Sequence, residues 1–259
     1  MVDAAVLFAH QAGMKPMLIL QARPEDLAAD AEYEAILQKG GLKADDVVRI
    51  RLEKEPAPKV EDLDRFSGII LGGGPGCVTD DPKTKSADEA RIEEALFSIL
   101  PTITKNDFPF LGCCLGIGIL GHHLGDFVSK EAFSEPVGVA SCEVTAQGGQ
   151  DPLLENVEPQ FDAFVGHKEA LQGLPPECVQ LVSSPTCPFQ MIRFRQNVYA
   201  TQFHPEADGA GFELRIRLYR DRGYFAPEDA DRLIQICKNA QVGQPQKVLQ
   251  NFVKRYGRS

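Results

Sequence analysis

Apolar residues in the first half of the chain come in short solid runs separated by more polar, helix-like stretches. The runs are Pro16-Met17-Leu18-Ile19-Leu20, Val47-Val48-Arg49-Ile50-Arg51-Leu52, Gly68-Ile69-Ile70-Leu71 and residues 108–111. Runs this short, bounded by glycine and proline, read as buried strands. Between them, residues 29–37 can form a helix closed by Gly40-Gly41. Ile92, Leu96, Ile99 and Leu100 fall at i, i+4, i+7 and i+8, the stripe of an amphipathic helix. This alternation predicts an α/β fold with a doubly wound, mostly parallel sheet that holds ligands at the carboxyl ends of its strands.

After about residue 128 the pattern changes. Strand-like runs at 137–144, 161–165, 179–182, 190–194 and 198–201 follow one another closely, which predicts a small added antiparallel sheet. From Gly211 the chain reads as helical. Val248, Leu249, Phe252, Val253 and Tyr256 form an apolar stripe after Pro245, read as a helix packed on its own domain. The other reading is a docking surface for a partner subunit or a second copy, which would make a homo-oligomer. No repeat or low-complexity linker interrupts the chain. Residues 1–259 are therefore read as one domain, with a catalytic core at 15–206 and a helical extension at 207–259.

Composition narrows the partners. A formal net charge of −10, without a clustered basic face, argues against nucleic acid. No stretch approaches the ~20 apolar residues of a membrane span. The run Ala4-Ala5-Val6-Leu7-Phe8-Ala9 is too short, and lacks the basic flank, to be a signal peptide. Seven cysteines, an odd number without Cys-x-x-Cys spacing, suggest neither a disulfide framework nor a zinc site, so a reducing cytoplasm is the simplest setting. No cofactor and no metal are expected.

The candidate chemistry lies at strand ends. Gly112-Cys113-Cys114-Leu115-Gly116 has the form of a strained strand-to-helix turn with the central residue, Cys114, exposed at its apex. Cys113 should point into the sheet. The following helix directs positive dipole at the sulfur, which favours a thiolate, as would a nearby imidazole. Gln202-Phe203-His204-Pro205-Glu206 supplies a base and, two residues on, a carboxylate to orient it. The amides of Leu115 and Gly74 are candidate oxyanion donors. Gly72-Gly73-Gly74-Pro75-Gly76 is no dinucleotide fingerprint, because Cys77 stands where the third glycine belongs. Taken singly, a buried cysteine is more often an inert core residue and His-Pro-Glu more often a turn. Together and in order they point to covalent acyl transfer.

The blocks Gly73-Gly74-Pro75-Gly76, Leu111 to Gly116 and Gln202 to Glu206 resemble the three signatures of triad-type class I glutamine amidotransferases, collinear over residues 15–206. Gly166-His167-Lys168-Glu169 and Gly223-Tyr224-Phe225 resemble the stand-alone branch related to the glutaminase part of GMP synthase. The resemblance implies a flavodoxin-like sheet, Cys114 as nucleophile, His204 as base and acid, Glu206 as its orienting acid, and Gly74 and Leu115 as oxyanion-hole amides. Gly73, Gly118, His167 and Gln202 become candidate substrate contacts. The implied reaction is glutamine hydrolysis through a γ-glutamyl thioester, with ammonia passed to a separate synthetase; no P-loop or ATP pyrophosphatase loop is visible in the sequence. One departure stands out: Ile117-Gly118 replaces the His-Gln that many members carry. Gly118 could open space for a larger leaving group, as in a γ-glutamyl hydrolase or peptidase, and His122 and His123 could compensate for the lost polar contact. A catalytically silent regulatory subunit is the third reading.

Overall fold

The computed structural model describes residues 15–257; the run at 4–9 lies outside them. In chain order the elements begin β1 (Met17–Gln21), α1 (Asp26–Gly40), β2 (Val47–Arg51), β3 (Gly68–Leu71), α2 (Ala87–Asn106), β4 (Phe110–Cys113) and α3 (Leu115–His123). Then come β5 (Val128–Ser129), β6 (Glu135–Val144), β7 (Gln160–His167), β8 (Ala170–Leu171), β9 (Cys178–Ser183), β10 (Met191–Phe194) and β11 (Val198–Thr201). Helices α4 (Gly209–Leu218), α5 (Ala230–Asn239) and α6 (Pro245–Tyr256) complete the chain.

Nine strands form one sheet in the order β2-β1-β3-β4-β11-β10-β9-β6-β7. Pairing is parallel from β2 through β11 and antiparallel from there to β7. The expected flavodoxin-like α/β sheet with helices on it is therefore present, and most of the antiparallel strands extend the parallel sheet. Only β5 and β8, two residues each, make a separate small antiparallel ribbon.

Successive strand residues point to opposite faces, so a solid apolar run needs a core on each side. Leu18, Leu20, Ile69 and Leu71 pack with Ile92, Leu96 and Ile99 of α2. Met17, Ile19, Ile70 and Leu111 pack on the other face with Ile36 of α1 and with Val248, Leu249 and Phe252 of α6. The apolar stripe of α6 is thus spent on its own sheet and is unavailable as a docking surface. A third cluster joins Phe164 of β7 to Phe212 and Ile216 of α4 and Leu233 and Ile234 of α5. The Phe164 and Phe212 rings stack at 4.7 Å.

Because β1, β3, β4 and β11 all run parallel, their carboxyl ends meet at one edge. Leu20 pairs with Leu71, Leu71 with Gly112, and Thr201 with Cys113. The residues that follow each strand therefore converge: Arg23, Gly72 to Gly74, Cys114, and Gln202 to His204.

Candidate active site

Cys114 has φ 51° and ψ −89°, outside the regions that side chains other than glycine adopt freely, a strain worth about 1–3 kcal/mol. Its amide donates to Thr201 O at 2.7 Å, which pins the turn to β11. The flanking glycines are needed for close approach, since a Cβ on Gly112 would fall 2.9 Å from Gly116 Cα. Cys113 is buried in the sheet, as expected. Leu115 is the first residue of α3, where an amide has no acceptor one turn back.

His204 is set by its own backbone and by what surrounds the ring. Its amide donates to Phe164 O at 3.0 Å, and its ring stands edge-on to Phe212 at 5.5 Å. Nδ1 lies 2.9 Å from Glu206 Oε1, leaving Nε2 as the nitrogen not held by Glu206. Gly73 backs the ring so closely that a Cβ there would lie 2.6 Å from His204 Cε1. Cys114, His204 and Gly74 line one cavity of about 40 Å³, room for about three waters. Cys114 is only 8% exposed. Tyr219, Tyr224 and Phe225 line the same cavity. Tyr224 donates its hydroxyl to Pro75 O at 2.8 Å and takes the Lys168 ammonium 4.5 Å from its ring centroid.

Burial opposes the dipole and imidazole that favour a thiolate. Burial pushes the Cys114 thiol up to about 12, and the Arg23 guanidinium lowers it too little to compensate. Desolvation outweighs charge stabilisation, so the resting sulfur is a thiol. Burial also lowers the His204 imidazole below its usual value; Glu206 opposes that, while Arg215 and Arg23 reinforce it. Burial thus disfavours the charged form of both groups. Burial works to raise the Glu206 carboxyl, but His204 and Arg215 outweigh it and keep Glu206 ionised.

The candidate substrate contacts divide. Gly118, Gln202 and Leu115 line a recess that Cys114 also lines. Gln202 is buried, and its side-chain Oε1 has no partner. His167 reaches the recess, but both ring nitrogens are engaged: Nδ1 with Glu169 O at 2.9 Å and Nε2 with Glu135 Oε2 at 2.8 Å. Its ring thus has no nitrogen left for a ligand. The space expected at Gly118 is filled, because a Cβ there would lie 2.8 Å from Glu169 Oε1. The Glu169 carboxylate is held by Val78 N at 2.8 Å, Thr79 N at 3.0 Å and Thr79 Oγ1 at 2.7 Å. Nor do the neighbouring histidines compensate for Gly118: His122 pairs with Asp126 and His123 with Thr104 at the far end of α3.

Several groups here escaped the sequence reading. Arg23, Glu32 and Arg215 are buried charges with no motif around them, and Glu169, though part of a quoted block, was given no role. Glu135, His167 and Cys187 bring buried ligand-type atoms within 4.8 Å of one another. Gln190 Nε2 at 2.7 Å and the Thr186 hydroxyl also donate to Glu135, so hydrogen bonds already satisfy that carboxylate.

Residues 28–216 match the family described as glutamine amidotransferase class-I. The chain belongs to the class I glutamine amidotransferases. Among similar proteins, the glutamine-hydrolysing GMP synthase of Cronobacter sakazakii is 27% identical over 196 residues, covering 73% of this chain and 32% of that protein. That of Photorhabdus laumondii is 30% identical over 146 residues, covering 54% and 25%. This amidotransferase thus spans between a quarter and a third of the length of those relatives. A solved glutamine amidotransferase from Thermotoga maritima superposes with TM-score 0.71 at 18% identity, covering 94% of this chain and 99% of that one. Another, from Methylobacillus flagellatus, superposes with TM-score 0.64 at 16% identity, covering 95% and 97%. These two likenesses show that the fold is shared. Among the described residues no helix is long and apolar enough to cross a membrane.

Proposed function

We propose that this amidotransferase hydrolyses the side-chain amide of glutamine, with Cys114 as nucleophile, His204 as general base and acid, and Glu206 as the residue that orients His204. The observation that carries this reading is the cavity shared by the strained Cys114 and by His204, whose Nδ1 is tied to Glu206 at 2.9 Å. His204 Nε2 takes the thiol proton as sulfur attacks the amide carbon. The resulting oxyanion is stabilised by the amides of Leu115 and Gly74. The imidazolium then gives its proton to the leaving nitrogen, so ammonia departs and a γ-glutamyl thioester remains. Water, deprotonated by His204, attacks the thioester carbonyl, and glutamate leaves as sulfur recovers the proton.

Gln202, whose buried side-chain oxygen has no partner, is the side chain assigned to the γ-glutamyl group; Gly73, whose amide is taken by Glu32, and Gly118, whose face is covered by Glu169, bound the site from behind, and His167 acts through Glu169 and Glu135. The filled space at Gly118 removes the argument for a bulkier leaving group and favours glutamine over a γ-glutamyl peptide. Ammonia delivery to a separate synthetase is in keeping with the similarity to glutamine-hydrolysing GMP synthases.

The deciding assay is release of ammonia and glutamate from glutamine by the purified chain, with Cys114→Ala alongside. Turnover that falls at least about 1,000-fold in the variant, without loss of folding, is expected. Equal turnover in both proteins would overturn the assignment of Cys114.

A further inference from the structure

Glu206 Oε1 carries two donors at once: His204 Nδ1 at 2.9 Å and Arg215 Nη2 at 2.8 Å. Glu206 Oε2 and Arg215 Nη1 are buried without partners. A guanidinium whose task was only to neutralise a buried acid would pair through both nitrogens, the geometry that satisfies all four atoms. Arg215 makes one bond instead, and its Nη2 also lies 3.7 Å from Glu32 Oε1. That same Glu32 oxygen accepts from Arg23 Nε at 2.7 Å and from Gly73 N at 3.1 Å. The charges alternate from Glu206 through Arg215 and Glu32 to Arg23. The chain of contacts ends on Gly73, which backs the His204 ring. The imidazole is thus held at Nδ1 by Glu206 and has no room to shift at Cε1 toward a side chain on the Gly73 side, with Arg215 between the two.

We propose that Arg215 is a positioning residue for the Cys114–His204 chemistry, holding the Glu206 carboxylate ionised and turned to His204 Nδ1 and so setting the orientation and basicity of the imidazole. The groups that face His204 are Glu206 from its own segment, Arg215 from α4, Arg23 from beyond β1 and Cys114 from the turn before α3. Glu32 of α1 stands one step behind the two arginines. Two carboxylates and two guanidiniums cancel, so the buried cluster is neutral when His204 is neutral and Cys114 protonated. Removing the Arg215 charge leaves one excess negative charge, which favours the imidazolium and takes the base out of action at low pH.

The test compares wild type, Arg215→Gln and Arg215→Lys. Gln keeps a donor for Glu206 and loses the charge; Lys keeps the charge. Two profiles against pH are read: kcat/KM for glutamine, which rests on the glutaminase reading, and the rate of Cys114 alkylation by iodoacetamide, which does not. In Arg215→Gln the acidic limb of both profiles is expected to rise by about one pH unit, an extra loss of roughly three- to sixfold at pH 6 relative to pH 8. Arg215→Lys is expected to restore the wild-type limb. A Gln variant with the wild-type limb, or Gln and Lys variants weakened equally at every pH, would overturn the proposal. Should the Gln variant not fold, NMR titration of the His204 ring in Arg215→Lys decides: a wild-type midpoint is expected, and a midpoint that moves although the charge is kept would overturn the proposal. If the wild type releases no ammonia from glutamine, the glutaminase reading fails while the alkylation profiles still judge Arg215.

Discussion

Gly73→Ala places one methyl group against the His204 imidazole, the base in the proposed mechanism. The φ of Gly73 lies outside the left-handed region, so alanine meets no backbone penalty there and the effect comes from space alone. The new Cβ would sit 2.6 Å from His204 Cε1 and 2.7 Å from Arg23 Nη2. Carbon atoms prefer about 3.5–4.0 Å, so the ring must retreat by about 1 Å. It cannot do so freely: Phe212 stands edge-on to it at 5.5 Å, and Glu206 holds Nδ1 at 2.9 Å. Arg23 is equally confined by its bond to Glu32 at 2.7 Å. Misplacing a catalytic group by about 1 Å costs on the order of 100-fold in rate. That corresponds to about 2.7 kcal/mol of lost transition-state stabilisation. Overpacking adds a stability cost of about 1–3 kcal/mol. The measurement is kcat/KM for glutamine at pH 8, paired with a thermal melt to confirm that the variant is folded. A folded Gly73→Ala enzyme within threefold of wild type would show that the ring position is not critical, and the reasoning would fail.

Three further outcomes are expected. Gly118→Ala drives the Glu169 carboxylate off the amides of Val78 and Thr79, at a cost of about 3 kcal/mol; an unchanged urea midpoint would refute this. Tyr224→Ala removes the bond to Pro75 and the perch of Lys168, so Cys114 should react with iodoacetamide about tenfold faster, the cover over the thiol being a local opening of low stability. The same rate in both proteins would mean that Tyr224 does not gate the cavity. The third concerns alkaline pH. Burial pushes the thiols of Cys77, Cys114 and Cys187 up to about 12 and that of Cys237 to about 11. Unfolded thiols ionise from about 8.5, so this stability is fully present below that pH and is lost as pH rises toward the folded values. Each thiol removes up to about 1.4 kcal/mol per pH unit above the unfolded value. Urea midpoints at pH 8 and pH 10 check the sign, and a higher midpoint at pH 10 would reverse it.

Sequence alone determined what is local or periodic. The solid apolar runs of β1 to β4 are legible because a strand buried on both faces has no polar position to spare. Gly112 to Gly116 is legible because a tight strand-to-helix turn restricts both backbone angles and neighbouring volume. Glu206 follows His204 by two residues, so their pairing is written in the chain. Tertiary structure decided the rest. The runs from β6 to β11 carry no mark saying which neighbour they pair with, and only assembly placed most of them on the edge of the parallel sheet. The space at Gly118 looked open because Glu169, 51 residues later in the chain, leaves no trace near position 118. Arg23, Glu32 and Arg215 read as ordinary charged residues of a turn and two helices; their burial comes from α1 and α4 closing over the strand ends. At Cys114 local and tertiary effects oppose each other. A helix dipole and an adjacent histidine can be read from neighbouring residues, but desolvation is a property of the folded cavity, and here it is the larger effect.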